Sequence, residues 1–101
     1  MDPTIETIMR VSQGLADPHR IRIVMHLLEH ESAHVGELVA MLGCDQPKTS
    51  FHLKRLRQLK LASGERKGRQ IFYRLTDEVK VLMRQMATHH QDMQLLMAMI
   101  E

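Results

Sequence analysis

Apolar side chains recur at three- and four-residue intervals through most of this chain, the spacing of helices that each bury one face. Ile5, Ile8 and Met9 share one face of a first helix over about 4–13, with Gly14 as its stop. Asp17-Pro18 supplies an N-cap and a first helical residue, opening a second helix through about 29 whose buried face is Ile21, Val24, Leu27 and Leu28. After a break at Glu31-Ser32-Ala33, a short third helix over about 35–42 buries Val35, Leu38, Val39 and Leu42. Gly43-Cys44-Asp45 then makes a tight connection into a fourth, capped by Asp45, in which Thr49, Leu53 and Leu56 fall at i, i+4 and i+7.

The pattern changes after residue 60. Gln70–Leu75 is strand-like, with Ile71, Phe72 and Tyr73 in succession, and Lys67-Gly68 suits a two-residue turn. Residues 62–75 therefore read as a β-hairpin with a cationic tip, Arg66-Lys67-Gly68-Arg69. From Thr76, a fair N-cap followed by Asp77 and Glu78 at the positive end of the helix dipole, a last helix runs to about residue 100. Its stripe of Val79, Leu82, Met83, Met86, Met93, Leu96, Met97 and Ile100 is longer than so small a core requires. Such a terminal stripe meets its copy in a dimer, beside the first helix. The expected architecture is mainly α with a small β-hairpin, one domain over residues 1–101. Within it a helix-turn-helix occupies about 35–60, a wing about 62–75, and dimerisation helices about 4–13 and 76–100.

Charge gives the fourth helix and the hairpin a purpose. Between Gln46 and Arg74 stand nine basic residues and one acid, Glu65, a net +8, whereas the rest of the chain holds five basic and eleven acidic residues, a net −6. A compact basic segment inside an otherwise acidic chain is the footprint of a polyanion-binding element. On the fourth helix, Pro47, Lys48, Phe51, Lys54, Arg55 and Gln58 point away from the leucine seam. A basic hairpin directly after a helix-turn-helix is a wing, and the partner these elements fit is duplex DNA. Other compositional signals narrow the class. No run approaches the roughly 20 apolar residues of a membrane span, and the acidic, helix-like start lacks the basic residues and apolar centre of a signal peptide. A single cysteine, Cys44, admits no internal disulfide and fits a reducing, cytoplasmic setting.

LADPHRIRIVMHLL, GELVAMLGCDQPKTSFHLKRLRQLKLA and GRQIFYRL, in this order, resemble the ArsR/SmtB family of small winged-helix repressors over roughly residues 12–93. The resemblance implies a dimer that binds an imperfect palindrome at its own promoter and is released by an inducer, most often a metal ion. Family members that sense soft metals carry a Cys-Val-Cys pair where this chain has His34-Val35-Gly36, so that thiolate site is absent. Others bind zinc-like ions through four ligands on the last helix, at positions matching Asp77, Val79, His90 and Met93. Asp77 and His90 remain, and His89 and Asp92 stand close enough to rebuild a site for zinc or nickel. His26 and His30, an i, i+4 pair with His34 downstream, have a spacing that also suits an ion. Cys44, at the start of the fourth helix, is a candidate redox residue.

These readings give each residue a task. Gln46, Lys48, Ser50, Phe51 and His52 are the candidates for the groove-facing turns, with Gln46 suited to a bidentate pair with adenine and Phe51 to a thymine methyl. Thr49 and His52, nearer the buried flank, suit orientation or a phosphate contact. Lys54 and Arg55 suit phosphates. In the wing, Arg66, Lys67 and Arg69 face the backbone, with Arg69 also suited to the minor groove. The expected function is a homodimeric transcriptional repressor. The rival is a protein-interaction module that uses its Met-rich helix, with DNA binding incidental. An enzyme is excluded by the lack of a nucleophile–base pairing, a phosphate-cradling Gly loop or a complete metal triad.

Overall fold

Five helices and a three-stranded sheet make up the computed structural model, which describes the backbone of residues 3–88 and the side chains of residues 4–85. The helices are α1 (Pro3–Gly14), α2 (Pro18–Glu29), α3 (Val35–Leu42), α4 (Gln46–Gln58) and α5 (Asp77–Thr88); the strands are β1 (Ala33–His34), β2 (Ala62–Lys67) and β3 (Gln70–Leu75). The rest of the last helix expected over 76–100 lies outside the described residues.

The helix ends follow from their capping chemistry. Asp17 caps α2 by accepting from His19 N–H at 2.8 Å and Arg20 N–H at 3.3 Å, and Asp45 caps α4 by accepting from Lys48 N–H at 2.8 Å. His34 caps α3 through Nδ1, which accepts from Glu37 N–H at 3.2 Å. Gly43 ends α3 at φ +68°, a left-handed conformation that costs glycine nothing. α4 closes on a Schellman motif: Leu61 N–H donates to Leu56 O at 2.9 Å and Lys60 N–H to Arg57 O at 3.0 Å, with Lys60 at φ +61°. Leu56 and Leu61, the apolar pair that accompanies this motif, are both buried.

One core joins the elements. Ile23, Val24, Leu27, Leu38, Leu53, Leu56, Leu61, Leu75 and Val79 are fully buried in it, and Tyr73 and Met83 close its edges. Gly14 lets α1 approach, because a Cβ there would lie 2.2 Å from Leu61 Cδ1. Arg10 fastens α1 across the fold, donating to Leu59 O at 3.1 Å and pairing with Glu78 on α5. The hydrogen bond from Arg10, with a smaller contribution from Thr7, holds the Glu78 carboxyl below its usual range.

Several expectations need correction. Ile23, not Ile21, faces the core, and Ile21 stays 42% exposed. Val35, Val39 and Leu28 are half-buried rather than buried. Ala33-His34, read as a break, is a strand pairing antiparallel with Tyr73 and Phe72, so the sheet has order β1-β3-β2 and not two strands. Lys67 pairs with Gln70, which moves the hairpin turn one residue on, to Gly68-Arg69. Gly68 alone of that pair has positive φ (+65°), the type II′ pattern with glycine first. Gly14 acts through close approach and not as a left-handed stop. Thr76 precedes α5, but its hydroxyl donates to Lys60 O at 3.0 Å instead of capping the helix.

Candidate nucleic-acid interface

α3, the Gly43–Asp45 connection and α4 form a helix-turn-helix whose second helix divides its surface sharply. Thr49, His52, Leu53 and Leu56 point inward. Gln46, Pro47, Lys48, Ser50, Phe51, Lys54, Arg57 and Gln58 are exposed, and Arg55 is half-buried. Phe51, 63% exposed, stands near the middle of the outward face, where a core residue has no reason to be. At the far end of the hairpin, Arg66, Lys67 and Arg69 are exposed. Arg66 Nε donates to Gly68 O at 3.4 Å, and Lys67 Nζ lies 5.7 Å from the centre of the Phe72 ring. Among the described residues the expected cationic positions, apart from half-buried Arg55, are thus solvent-facing.

Two expected contact residues are inside the fold. Thr49 is fully buried and His52 is 4% exposed, because both lie on the stripe that carries Leu53 and Leu56. Thr49 Oγ1 donates to Asp45 O at 2.9 Å, tightening the first turn of α4. His52 Nδ1 lies 3.3 Å from Arg20 Nη1 and 3.8 Å from Asp17 Oδ1, locking α4 to the start of α2. Burial keeps the His52 imidazole below its usual pKa; Asp17 opposes this, and Arg20 adds to it. The Asp17 carboxyl sits below its usual range: burial, the largest influence, raises it, but the two capping N–H donors and the nearby His52 and Arg20 outweigh burial. These residues orient the helix.

Sequence reading left out a cleft at the base of the hairpin. Ser50, Lys54, Arg57, Gln58 and Tyr73 line an open recess between α4 and β3. Helical spacing puts Arg57 on the flank of the leucine seam, about 40° from Leu53, so only its exposure in the folded chain brings it to this recess.

The expected metal and redox residues divide differently. Asp77 is exposed at the start of α5, whereas His89, His90 and Asp92 lie outside the described residues. Val79, at a position matching a family ligand, is 1% exposed in the core. His26 Nε2 pairs with Glu37 Oε2 at 2.9 Å and its ring lies 4.4 Å from that of His30, while His34 is occupied as the α3 cap. Cys44 Sγ lies 3.2 Å from Thr49 Oγ1, half-buried in the turn. Among the described residues, the group of three metal-ligating side chains is Asp17, His19 and His52. No expectation singled it out, because thirty-three positions separate its histidines.

At the terminal helices, α1 turns Thr7, Val11 and Gly14 inward and leaves Ile5, Ile8 and Met9 about half exposed. Leu82 is half-buried beside Ile8 and Leu15, and Val81 is 56% exposed. Met83, expected at a dimer interface, is instead 9% exposed in the chain's own core. The Met86 side chain, Met93, Leu96 and Met97 lie outside the described residues. No helix among the described residues is long and apolar enough to cross a membrane.

Comparison with known proteins agrees with this geometry. The transcriptional repressor SmtB of Mycobacterium tuberculosis is 46% identical over 65 residues, 64% of this chain and 47% of that protein, so the chain spans about half the length of this curated relative. HlyU from Vibrio cholerae superposes with a TM-score of 0.76 at 27% identity, covering 90% of this chain and 97% of that one. The homodimeric winged helix-turn-helix DNA-binding domain of Mb0332 from Mycobacterium bovis superposes at 0.71 with 22% identity, covering 88% and 85%, and shares the fold. Residues 17–67 match the model of the bacterial regulatory protein arsR family. With half of its length matched, including the whole helix-turn-helix, this winged helix-turn-helix chain belongs to the arsR family of bacterial regulatory proteins.

Proposed function

We propose that the chain is a cytoplasmic, homodimeric, sequence-specific DNA-binding transcriptional repressor, and not an enzyme. The carrying observation is exposure on two elements in succession: Gln46, Lys48, Ser50, Phe51 and Lys54 on α4, and Arg66, Lys67 and Arg69 on the hairpin that follows it. α4 enters the major groove, where Gln46 and Phe51 read base edges and Lys54 and Arg55 hold phosphates. The wing lies along the backbone, with Arg69 at the minor groove. The single domain over 1–101 dimerises through α1 and α5, whose exposed Ile5, Ile8, Met9 and Val81 give an apolar seam. Two-fold symmetry then places half-sites of a palindromic operator about one helical turn apart.

Fluorescence anisotropy on duplex DNA from upstream of its own gene tests this reading. Gln46→Ala reduces preference at one base pair by about 1–3 kcal/mol. Arg69→Ala weakens all sequences similarly and lowers the salt dependence by about one phosphate contact per chain. Equal binding of the palindrome and a scrambled duplex by the unaltered protein overturns sequence-specific recognition. Uniform losses in both variants overturn the division between reading and positioning residues.

A further inference from the structure

We propose that Asp17, His19 and His52 form a binding site for a borderline divalent cation such as zinc or nickel, joining the start of α2 to the inner face of α4. One ligand atom from each residue lies within 4.8 Å of the others. Asp17 Oδ1 is 3.6 Å from His19 Nδ1 and 3.8 Å from His52 Nδ1. Donors about 2.0–2.2 Å from a tetrahedral zinc ion lie roughly 3.3 Å from one another, so these two edges need to close by only about half an ångström. Two imidazoles and a carboxylate are the donor chemistry that borderline ions favour, and a fourth position stays open to water.

The two halves of the site differ in freedom. The His52 side chain is only 6% exposed, and Arg20 Nη1 lies 3.3 Å from its Nδ1. Donation from Arg20 makes that nitrogen the lone-pair position, the form a metal needs. His19 is 29% exposed on the first turn of α2, its ring stacked on that of His52 at 5.2 Å and 9°. Parallel rings cannot both point their nitrogens at one ion, so binding requires the His19 ring to turn, which its exposure permits. The ion also takes the His52 lone pair from Arg20, whose Nε remains held by Gly14 O at 2.8 Å. The displaced guanidinium opposes the cation, so its removal strengthens binding.

Titration of the metal-stripped full-length protein with cobalt(II), read by visible absorption and equilibrium dialysis, tests the site. The expected result is one ion per chain with the ligand-field bands of a low-coordinate site. His19→Ala weakens binding at least about tenfold, with circular dichroism unchanged. Asp17→Ser, which keeps a capping oxygen, also weakens it. Arg20→Gln tightens it, an effect that a purely structural role for the cluster does not produce. A double variant His89→Ala/His90→Ala binds as the unaltered protein does. Absent binding, binding indifferent to His19→Ala, or binding abolished in the double variant each overturns the proposal.

Discussion

Lys60 holds its backbone at φ +61°, where an L side chain crowds the following carbonyl at a cost of about 1–2 kcal/mol and glycine does not. It is kept there because both Schellman hydrogen bonds and the buried Leu56–Leu61 pair depend on that turn. Glycine also has more freedom to lose from the unfolded chain, so Lys60→Gly should stabilise by a net of about 0.5–1 kcal/mol. A urea midpoint that rises without a change in slope is the expected sign; a lower midpoint means that the lysine chain contributes more than the strain removes. Gly14 presents the opposite situation. Its φ needs no glycine, but a methyl group there overlaps Leu61 Cδ1, the floor of the core beneath α1. Gly14→Ala gains helix propensity yet forces Leu61 or α1 to move, and should destabilise by about 1–3 kcal/mol. A stabilised variant in thermal unfolding means that Leu61 has another rotamer available.

The division of α4 into two faces is the element on which the proposed recognition depends. Phe51 contributes little to the fold at 63% exposure, so Phe51→Ala should change stability by no more than about 0.5 kcal/mol while lowering preference for the operator. Leu53, two residues on and fully buried, should cost about 2–5 kcal/mol when truncated to alanine. Parallel chemical denaturation and anisotropy of the two variants separate folding from recognition. A Phe51→Ala protein as destabilised as Leu53→Ala contradicts the orientation of the helix. Elements of this kind were legible in the sequence because an amphipathic period and a capping Asp-Pro are local signals. Two-residue β1 was not, since Ala33-His34 has no periodicity, and only its pairing with Tyr73 and Phe72 makes it a strand. The Ile21–Ile23 exchange has a similar origin. Ile21 lies three residues before Val24 and Ile23 four before Leu27, both valid helical spacings, and the packing of α2 on its neighbours decides between them. The Asp17–His19–His52 cluster is tertiary too. Helical spacing puts His52 on the buried flank of α4, but the stacking of its ring on that of His19 does not follow from spacing.

Among the described residues, the exposed cations of α4 and the hairpin and a group of exposed apolar residues on α1 and α5 stand on different elements. The basic residues Lys48, Lys54, Arg57, Arg66, Lys67 and Arg69 are exposed on α4 and the hairpin, while Ile5, Ile8, Met9 and Val81 are exposed on the two terminal helices. Arg10 and Glu78 hold α1 and α5 together within one chain, so the proposed seam rests on two helices already tied to each other. Two DNA-binding surfaces can address a palindrome only if the seam closes on a second copy. Ile8 is the sharpest point at which to test that dependence. It is 47% exposed and lines an apolar groove with Val11, Leu15 and Leu82, so a charge there should leave the single chain folded while obstructing its partner. Ile8→Glu is expected to sediment as a monomer with an unaltered circular dichroism spectrum. The melting temperature of the unaltered protein should rise with its concentration, as mass action requires of a dimer, and that of the variant should not. On a full operator the variant should also lose about half of the salt dependence, because one wing and one α4 engage in place of two. A variant that remains dimeric with the full salt slope places the interface elsewhere. One that unfolds, while Ile5→Glu behaves as a folded monomer, assigns Ile8 to the core and keeps the seam.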